Sequence, residues 1–343
     1  MDKASPSSEN KQLATFLQSL RTQIYHAKTR EDLRHVLHTV RSFGRPLCYN
    51  NTSYWLGFSM GILLGLLAIL YAYWYPSSVS APWLIGAGGL TSVIFAVLIY
   101  MRRSKVSDLS DALFKQDVYL DNNWQSVPYH GKKLAAQLSR QFSEFKRGNH
   151  SREIEWLVKG TYQGTDHQFD YHAYHFHYVD QRQVTSTIRD SKGNVRVTTR
   201  TVYDHFHRYG LYLPFRFARN IAITNSWFGG FFSSSYKPAS VEFNRKFKVS
   251  ASDELSAAKF LKPAVVVEIE DLGKALSGLN LEFNAASELC ISFEQNICQW
   301  QRQHGLDEPD AFLQEIEGDQ KLATLQKTLE RIHTLMRHSD NNF

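Results

Sequence analysis

The chain has little cysteine, and what it has forms no pattern. Among 343 residues the three cysteines are Cys48, Cys290 and Cys298, with no CxxC between them. That excludes a disulfide framework or a cysteine-rich zinc motif, and it suits reduced thiols in a cytosolic setting. Metalloprotease H-E-x-x-H, a phosphate-binding P-loop and a paired-carboxylate arrangement are also missing. The net charge is +6, yet Lys and Arg form no stripe interleaved with aromatics. Nucleic-acid affinity needs a clustered basic footprint, so no nucleic-acid partner is expected. The most informative absence is charge itself: from Tyr54 to Met101 there is no Asp, Glu, Lys or Arg.

Within that stretch, "YWLGFSMGILLGLLAILYAYWY" (54–75) is long enough to cross about 30 Å of hydrocarbon as a helix, and "WLIGAGGLTSVIFAVLIYM" (83–101) is a second such run. Tyr and Trp at their ends suit a membrane interface. The seven residues between them (76–82) make a tight, uncharged turn, so the pair reads as a helical hairpin in the lipid bilayer. About fifty polar residues precede it, which does not fit a cleavable signal peptide. Arg34, Arg41 and Arg45 lie before the first span, and Arg102, Arg103 and Lys105 follow the second. The positive-inside rule then predicts a multi-pass membrane protein with both termini cytoplasmic. Asn51-Thr52-Ser53 would lie on that same side against the bilayer, unsuited to glycosylation. "GFSMG" (57–61) matches a nucleophile-elbow pattern, but that motif needs a strand-to-helix turn rather than an apolar helix. Gly57, Gly61 and Gly65 read instead as a small-residue ridge for helix packing, against Gly86–Gly89 of the second span. A self-associating homo-oligomer face is the alternative use of that ridge.

The rest divides by texture. Leu13, Leu17, Leu20 and Ile24 recur at helical spacing, and "TRED" (29–32) is a capping box before Leu33, Val36, Leu37 and Val40. Segments 106–118 and 130–147 read as further helices. From about 154, β-branched and aromatic runs predict a mostly antiparallel sheet, including "SVEFNRKFKV" as a strand. "SDELSAAKFLKP" and "AVVVEIEDLGKAL" read as helices, with Pro263 in a first turn. "LNLEFNA" and "LCISFEQ" make a last strand pair. Leu322, Leu325, Leu329, Ile332 and Met336 follow a coiled-coil-like pattern, with packing onto the chain's own domain the simpler reading. The fold class is α+β. The expected organisation is a helical segment 1–53, a hairpin 54–101, a helical linker 102–150, an α+β domain 151–305 and a C-terminal amphipathic helix 306–343.

Two stretches carry candidate site residues. "FDYHAYHFHYVDQ" (169–181) and "YDHFHRY" (203–209) set histidines among tyrosines and phenylalanines. A three-residue hairpin loop at "DSKG" (190–193) would place His177 opposite His207, with His175 and His205 on the same face. Four imidazoles then converge, a metal-site geometry; a one-residue slip would invert it. An aromatic–histidine sheet without an ion explains the same residues and is the reading preferred here. In "NSWFGGFFSSS" (225–235), Trp227, Phe228, Phe231 and Phe232 could dip into a bilayer interface or fold back as a plug that meets a partner. Glu268 and Asp271 share a helix face and read as solvated.

The stretch "FNRKFKVSASDELSAAKFLKPAVVVEIEDL" (243–272) adds a resemblance. Phe247, Val249, Ala251, Ser252 and Asp253 form F-x-V-x-A-S-D, followed by a helix and by Leu261, Pro263 and Ala264 as L-x-P-A. "YHGKK" upstream agrees more loosely. Over residues 105–300 the chain resembles the bacterial membrane-anchored family of unknown function DUF3137. The resemblance implies an N-terminal hairpin anchor and a role in an envelope assembly, with a LemA-like membrane protein as partner. It brings no catalytic residues and no cofactor, and the histidine cluster is not part of its pattern. In "SDEL" (252–255), Ser252 is expected to cap the helix. The function expected is therefore a non-enzymatic scaffold or regulatory protein. A metal-dependent hydrolase using His175, His177, His205 and His207, or a lipid-sensing domain, are the alternatives.

Overall fold

The computed structural model describes residues 6–189, 195–225 and 232–340. In chain order its helices are α1 (Pro6–His26), α2 (Arg30–Ser42), α3 (Thr52–Trp74), α4 (Ala81–Asp121), α5 (Gly131–Gln141), α6 (Val241–Lys246), α7 (Glu254–Phe260), α8 (Pro263–Ala275), α9 (Pro309–Glu317) and α10 (Ala323–Ser339). The strands are β1 (Trp124–Ser126), β2 (Ser151–Gln163), β3 (Gln168–Arg189), β4 (Val195–Pro214), β5 (Ile221–Asn225), β6 (Ser234–Tyr236), β7 (Phe247–Ala251), β8 (Asn280–Phe283) and β9 (Glu288–Phe293). They form one antiparallel sheet in the order β1-β2-β3-β4-β9-β8-β5-β7-β6. An α+β fold with a two-helix hairpin is the result.

The chain divides into two units. One holds residues 1–121 and 301–320; the other holds 122–300 and 321–343. In the first unit the capping box forms as the sequence predicts. Thr29 Oγ1 accepts from the Asp32 amide at 3.1 Å, and Asp32 Oδ2 accepts from the Thr29 amide at 3.0 Å. Leu13, Leu17, Leu20 and Ile24 of α1 and Leu33, Val36, Leu37 and Val40 of α2 are all buried. The segment 106–118 is no separate helix. Neither proline nor glycine follows Gly89 within α4, so nothing stops it short of Asp121. At its end Asp121 accepts from Arg30 Nε at 2.8 Å and from the Gln320 amide at 2.7 Å.

Thr52–Trp74, and the apolar run that opens α4, are long and apolar enough to cross a membrane, with mean hydropathies of 2.0 and 2.1. Only 11% and 6% of those windows are buried, which sets them apart from the core helices of a water-soluble fold. The two pack through small residues. A Cβ on Gly61 would fall 2.5 Å from Ser92 Oγ, and one on Gly88 would fall 2.6 Å from the Gly65 nitrogen. Gly57 faces the Phe95 ring, whereas Gly86 and Gly89 face open space. Arg102 closes the hairpin's base: its Nη1 donates to Asn51 Oδ1 at 3.2 Å, and its guanidinium lies 3.9 Å from the Tyr54 ring centroid.

In the second unit, α5 and the 3₁₀ turn Ser143–Lys146 cover one sheet face. Leu138, Phe142 and Phe145 meet Ile154, Leu157, Tyr174, Phe176 and Tyr178 there. Three expectations change. "SVEFNRKFKV" is helix then strand, because Ser240 Oγ accepts from the Phe243 amide and starts α6. Asp253 rather than Ser252 caps α7, accepting from the Ser256 amide at 2.8 Å. Glu268 is buried rather than solvated, accepting from Arg331 Nη1 at 2.9 Å, with Asp271 at 3.4 Å from the same nitrogen. The apolar positions of α10 (Leu325, Leu329, Ile332 and Met336) are buried within this unit, where α10 packs on α8.

Candidate functional site

A long β-hairpin builds the site. Strands β3 and β4 pair without a shift from His172↔Tyr212 to Arg189↔Val195, which puts His177 opposite His207 and Val179 opposite His205. The turn 190–193 lies outside the described residues, but the strands leading from it run in the register that such a loop requires. Alternation then separates two chemistries along the same strands. Tyr174, Phe176 and Tyr178 turn into the core against Phe145 and the α5 helix. His175 and His177, with His205 and His207 across the pair, line the opposite face. His172 belongs to the first set, stacked on Tyr212 with centroids 4.6 Å apart.

The four histidines do not meet at one point. They form two pairs: His175 Nε2 lies 2.9 Å from His207 Nδ1, and His177 Nε2 lies 3.0 Å from His205 Nδ1. Glu155 joins the pairs. Its Oε2 lies 3.3 Å from His175 Nδ1, and its Oε1 lies 3.0 Å from His177 Nδ1. One proton assignment satisfies every contact. If all four rings carry their proton on Nδ1, His175 and His177 donate to the carboxylate and accept on Nε2 from His207 and His205. The assignment leaves Nε2 of His205 and His207, both exposed residues, as outward acceptors. Rings stack along the row, with His177 and His207 centroids 4.7 Å apart and Tyr209 lying 4.5 Å over His175. Burial pulls the His175 imidazole below its ordinary value; Glu155 opposes this, while His207 and His177 add to it. The net shift favours the neutral imidazole, the form that binds metals.

Glu155 was not legible as a site residue, although its signal is present. Pairing shifts between Ile154↔Phe176 and Trp156↔His175, so Glu155 is the extra residue of a β-bulge. Ile154 and Leu157 enter the same core cluster despite an odd spacing, which strict alternation forbids. The Glu155 carbonyl is held by Tyr129 Oη at 2.9 Å. Trp156, beside it in the bulge, meets Trp124 and Trp300 at 5.3 and 6.2 Å between centroids. Trp124 Nε1 in turn donates to Tyr171 Oη at 2.9 Å. The bulge thus turns the Glu155 carboxylate towards the histidines while its neighbour Trp156 joins an aromatic cluster.

Of the aromatic stretch, Trp227, Phe228 and Phe231 lie outside the described residues. Phe232 is half-buried and lines a cavity of about 380 Å³ with Tyr236, Phe247 and Val249. Ser59 lies within α3, with no strand-to-helix turn to make it a nucleophile.

These features define a class of protein: an α+β chain with two membrane-length helices and an imidazole–carboxylate cluster on its sheet. Compared with family models, curated proteins and solved structures, the chain matches none.

Proposed function

We propose that the chain is an inner-membrane protein of bacteria whose hairpin tethers a cytoplasmic α+β unit, and that this unit scaffolds or regulates a membrane-protein partner. The observation that carries the reading is the pair of apolar helices left almost wholly uncovered by the protein's own packing. Arg102, held to the start of α3, concentrates positive charge with Arg103 and Lys105 at the end of the hairpin away from the 76–82 turn. The positive-inside rule keeps that end, and both termini with it, in the cytoplasm. The resemblance to DUF3137 is part of the same proposal, with a LemA-like protein as the partner it implies. Reporter fusions test the topology. A fluorescent protein at residues 150 and 343 is expected to fold, and alkaline phosphatase is expected to be active only when fused within 76–82. Phosphatase activity at residue 150 or 343 would overturn the proposal.

A further inference from the structure

The anchoring role leaves the histidine row unused, and the row has the chemistry of a metal site. Among the described residues, Glu155, His175 and His207 each bring one ligand atom within 4.8 Å of the other two. With His207 Nδ1 as one ligand atom, His175 Nε2 lies 2.9 Å and Glu155 Oε2 lies 4.0 Å from it. The 3.3 Å contact of that carboxylate oxygen is with the other ring nitrogen of His175, Nδ1, which an ion on Nε2 does not use. Tetrahedral zinc bonds of about 2.0–2.1 Å place neighbouring ligands about 3.3 Å apart. The 2.9 and 4.0 Å values lie on either side of that spacing, and the Glu155 carboxyl must exchange its contact with His175 Nδ1 for the ion. Register and bulge fix the backbone: His175 and His207 project from an unshifted strand pair, and Glu155 is turned onto their face by the extra residue in β2.

We propose that Glu155, His175 and His207 bind one divalent late transition-metal ion of the zinc class. The ion takes the position of the proton now shared by the two imidazoles, and that proton moves to the solvent-facing Nε2 of His207. Nitrogen and carboxylate donors together select zinc, cobalt, nickel or copper over magnesium or calcium, which prefer all-oxygen cages. His177 acts as a positioning residue: its Nδ1, 3.0 Å from Glu155 Oε1, fixes the carboxylate by the oxygen the metal does not use. His205 extends that support through His177. Three protein ligands leave a fourth position open on the side where His207 is exposed, the coordination of a site that can take water or a small ligand. The site neither requires nor implies the proposed tether.

The test uses the full chain in detergent micelles, without a histidine tag, stripped of metal and titrated with Zn²⁺ by calorimetry. One equivalent is expected to bind, with dissociation at or below about 1 μM, and Co²⁺ is expected to give the visible bands of four-coordination. H175A and H207A should each weaken binding by a hundredfold or more. H177A should weaken it about 10–100-fold, as loss of a supporting partner does. H172A, on the opposite face of the same strand, should leave binding unchanged. Thermal melts of each metal-free variant separate lost ligation from lost folding, and His207, exposed, is the safest substitution. No stoichiometric Zn²⁺ binding by the wild type, or binding that survives H175A and H207A together, overturns the site.

Discussion

His207 and Arg208 are neighbours in sequence that serve opposite faces of β4. His207 belongs to the exposed imidazole row; Arg208 is buried and forms the polar centre of the core beneath it. Arg208 Nε donates to Glu144 Oε1 at 2.8 Å, and its Nη2 donates to the Gly278 carbonyl at 2.7 Å and Ser292 Oγ at 3.0 Å. Burial pushes the Glu144 carboxyl up, but the Arg208 and Arg147 guanidiniums outweigh it and hold the carboxyl below its ordinary value. Removing one partner of such a pair strands a buried charge, at a cost of about 3–5 kcal/mol. R208A is therefore expected to lower the unfolding free energy, read from denaturant titration, by that amount, whereas H207A should barely change it. At this scale the sequence was half legible. Alternation told which histidines share a face, but the Glu155 carboxylate that joins them depends on a local break in alternation.

Among elements, α10 shows how a surface-looking pattern becomes core. His333 Nε2 accepts from the amides of Asp166 and His167 at 3.4 and 3.3 Å, tying the β2–β3 turn to the helix. Burial lowers the His333 pKa, His167 and Arg337 add to this, and Asp166 opposes it. A base whose folded pKa lies below its unfolded value near 6.5 makes stability rise with pH. That contribution is whole above the unfolded value and is lost as pH falls through it towards the folded one. Urea midpoints measured at pH 7.5 and 5.5 should fall for the wild type, and the fall should shrink in H333Q, which keeps an acceptor without titrating. The membrane-length helices make a separate prediction. Gly88→Leu places a side chain where Gly61 and Gly65 backbone atoms now lie, so it is expected to part α3 from α4 and lower the melting temperature in detergent by several degrees. G86L, facing open space, should leave it unchanged. Helix starts were readable wherever a cap was unambiguous, as at Thr29. Where caps competed, as at Ser252 and Asp253, or where Ser240 opened the short helix α6 inside a strand-like alternation, composition pointed the wrong way.

The molecule as a whole is less legible than its parts. The α+β class and the two apolar helices follow from periodicity and from the missing charge, because both are local properties. The division into units is not local. Residues 301–320 return to the first unit and 321–343 to the second, and no change of composition marks either crossing. A chain ending at Gln320 keeps every residue of the first unit but loses α10, whose Leu325, Leu329 and Ile332 are almost wholly buried. It is expected to lose the cooperative unfolding transition of the second unit and to become protease-sensitive throughout 122–300. A fragment beginning at residue 104 should be equally compromised in the first unit, because it strips α1 and α2 from the buried Leu109, Leu113 and Phe114 of α4.

The same interleaving sets a timetable for synthesis. Asp121 leaves the ribosome early, yet its partner Gln320 and the buried Leu306 and Phe312 arrive only after residues 122–300 have been made. At about 5–20 residues per second that wait is roughly 10–40 s. Throughout it the nascent first unit presents unpaired leucines beside the two apolar helices, and its last contacts form only once residues 301–320 have been made.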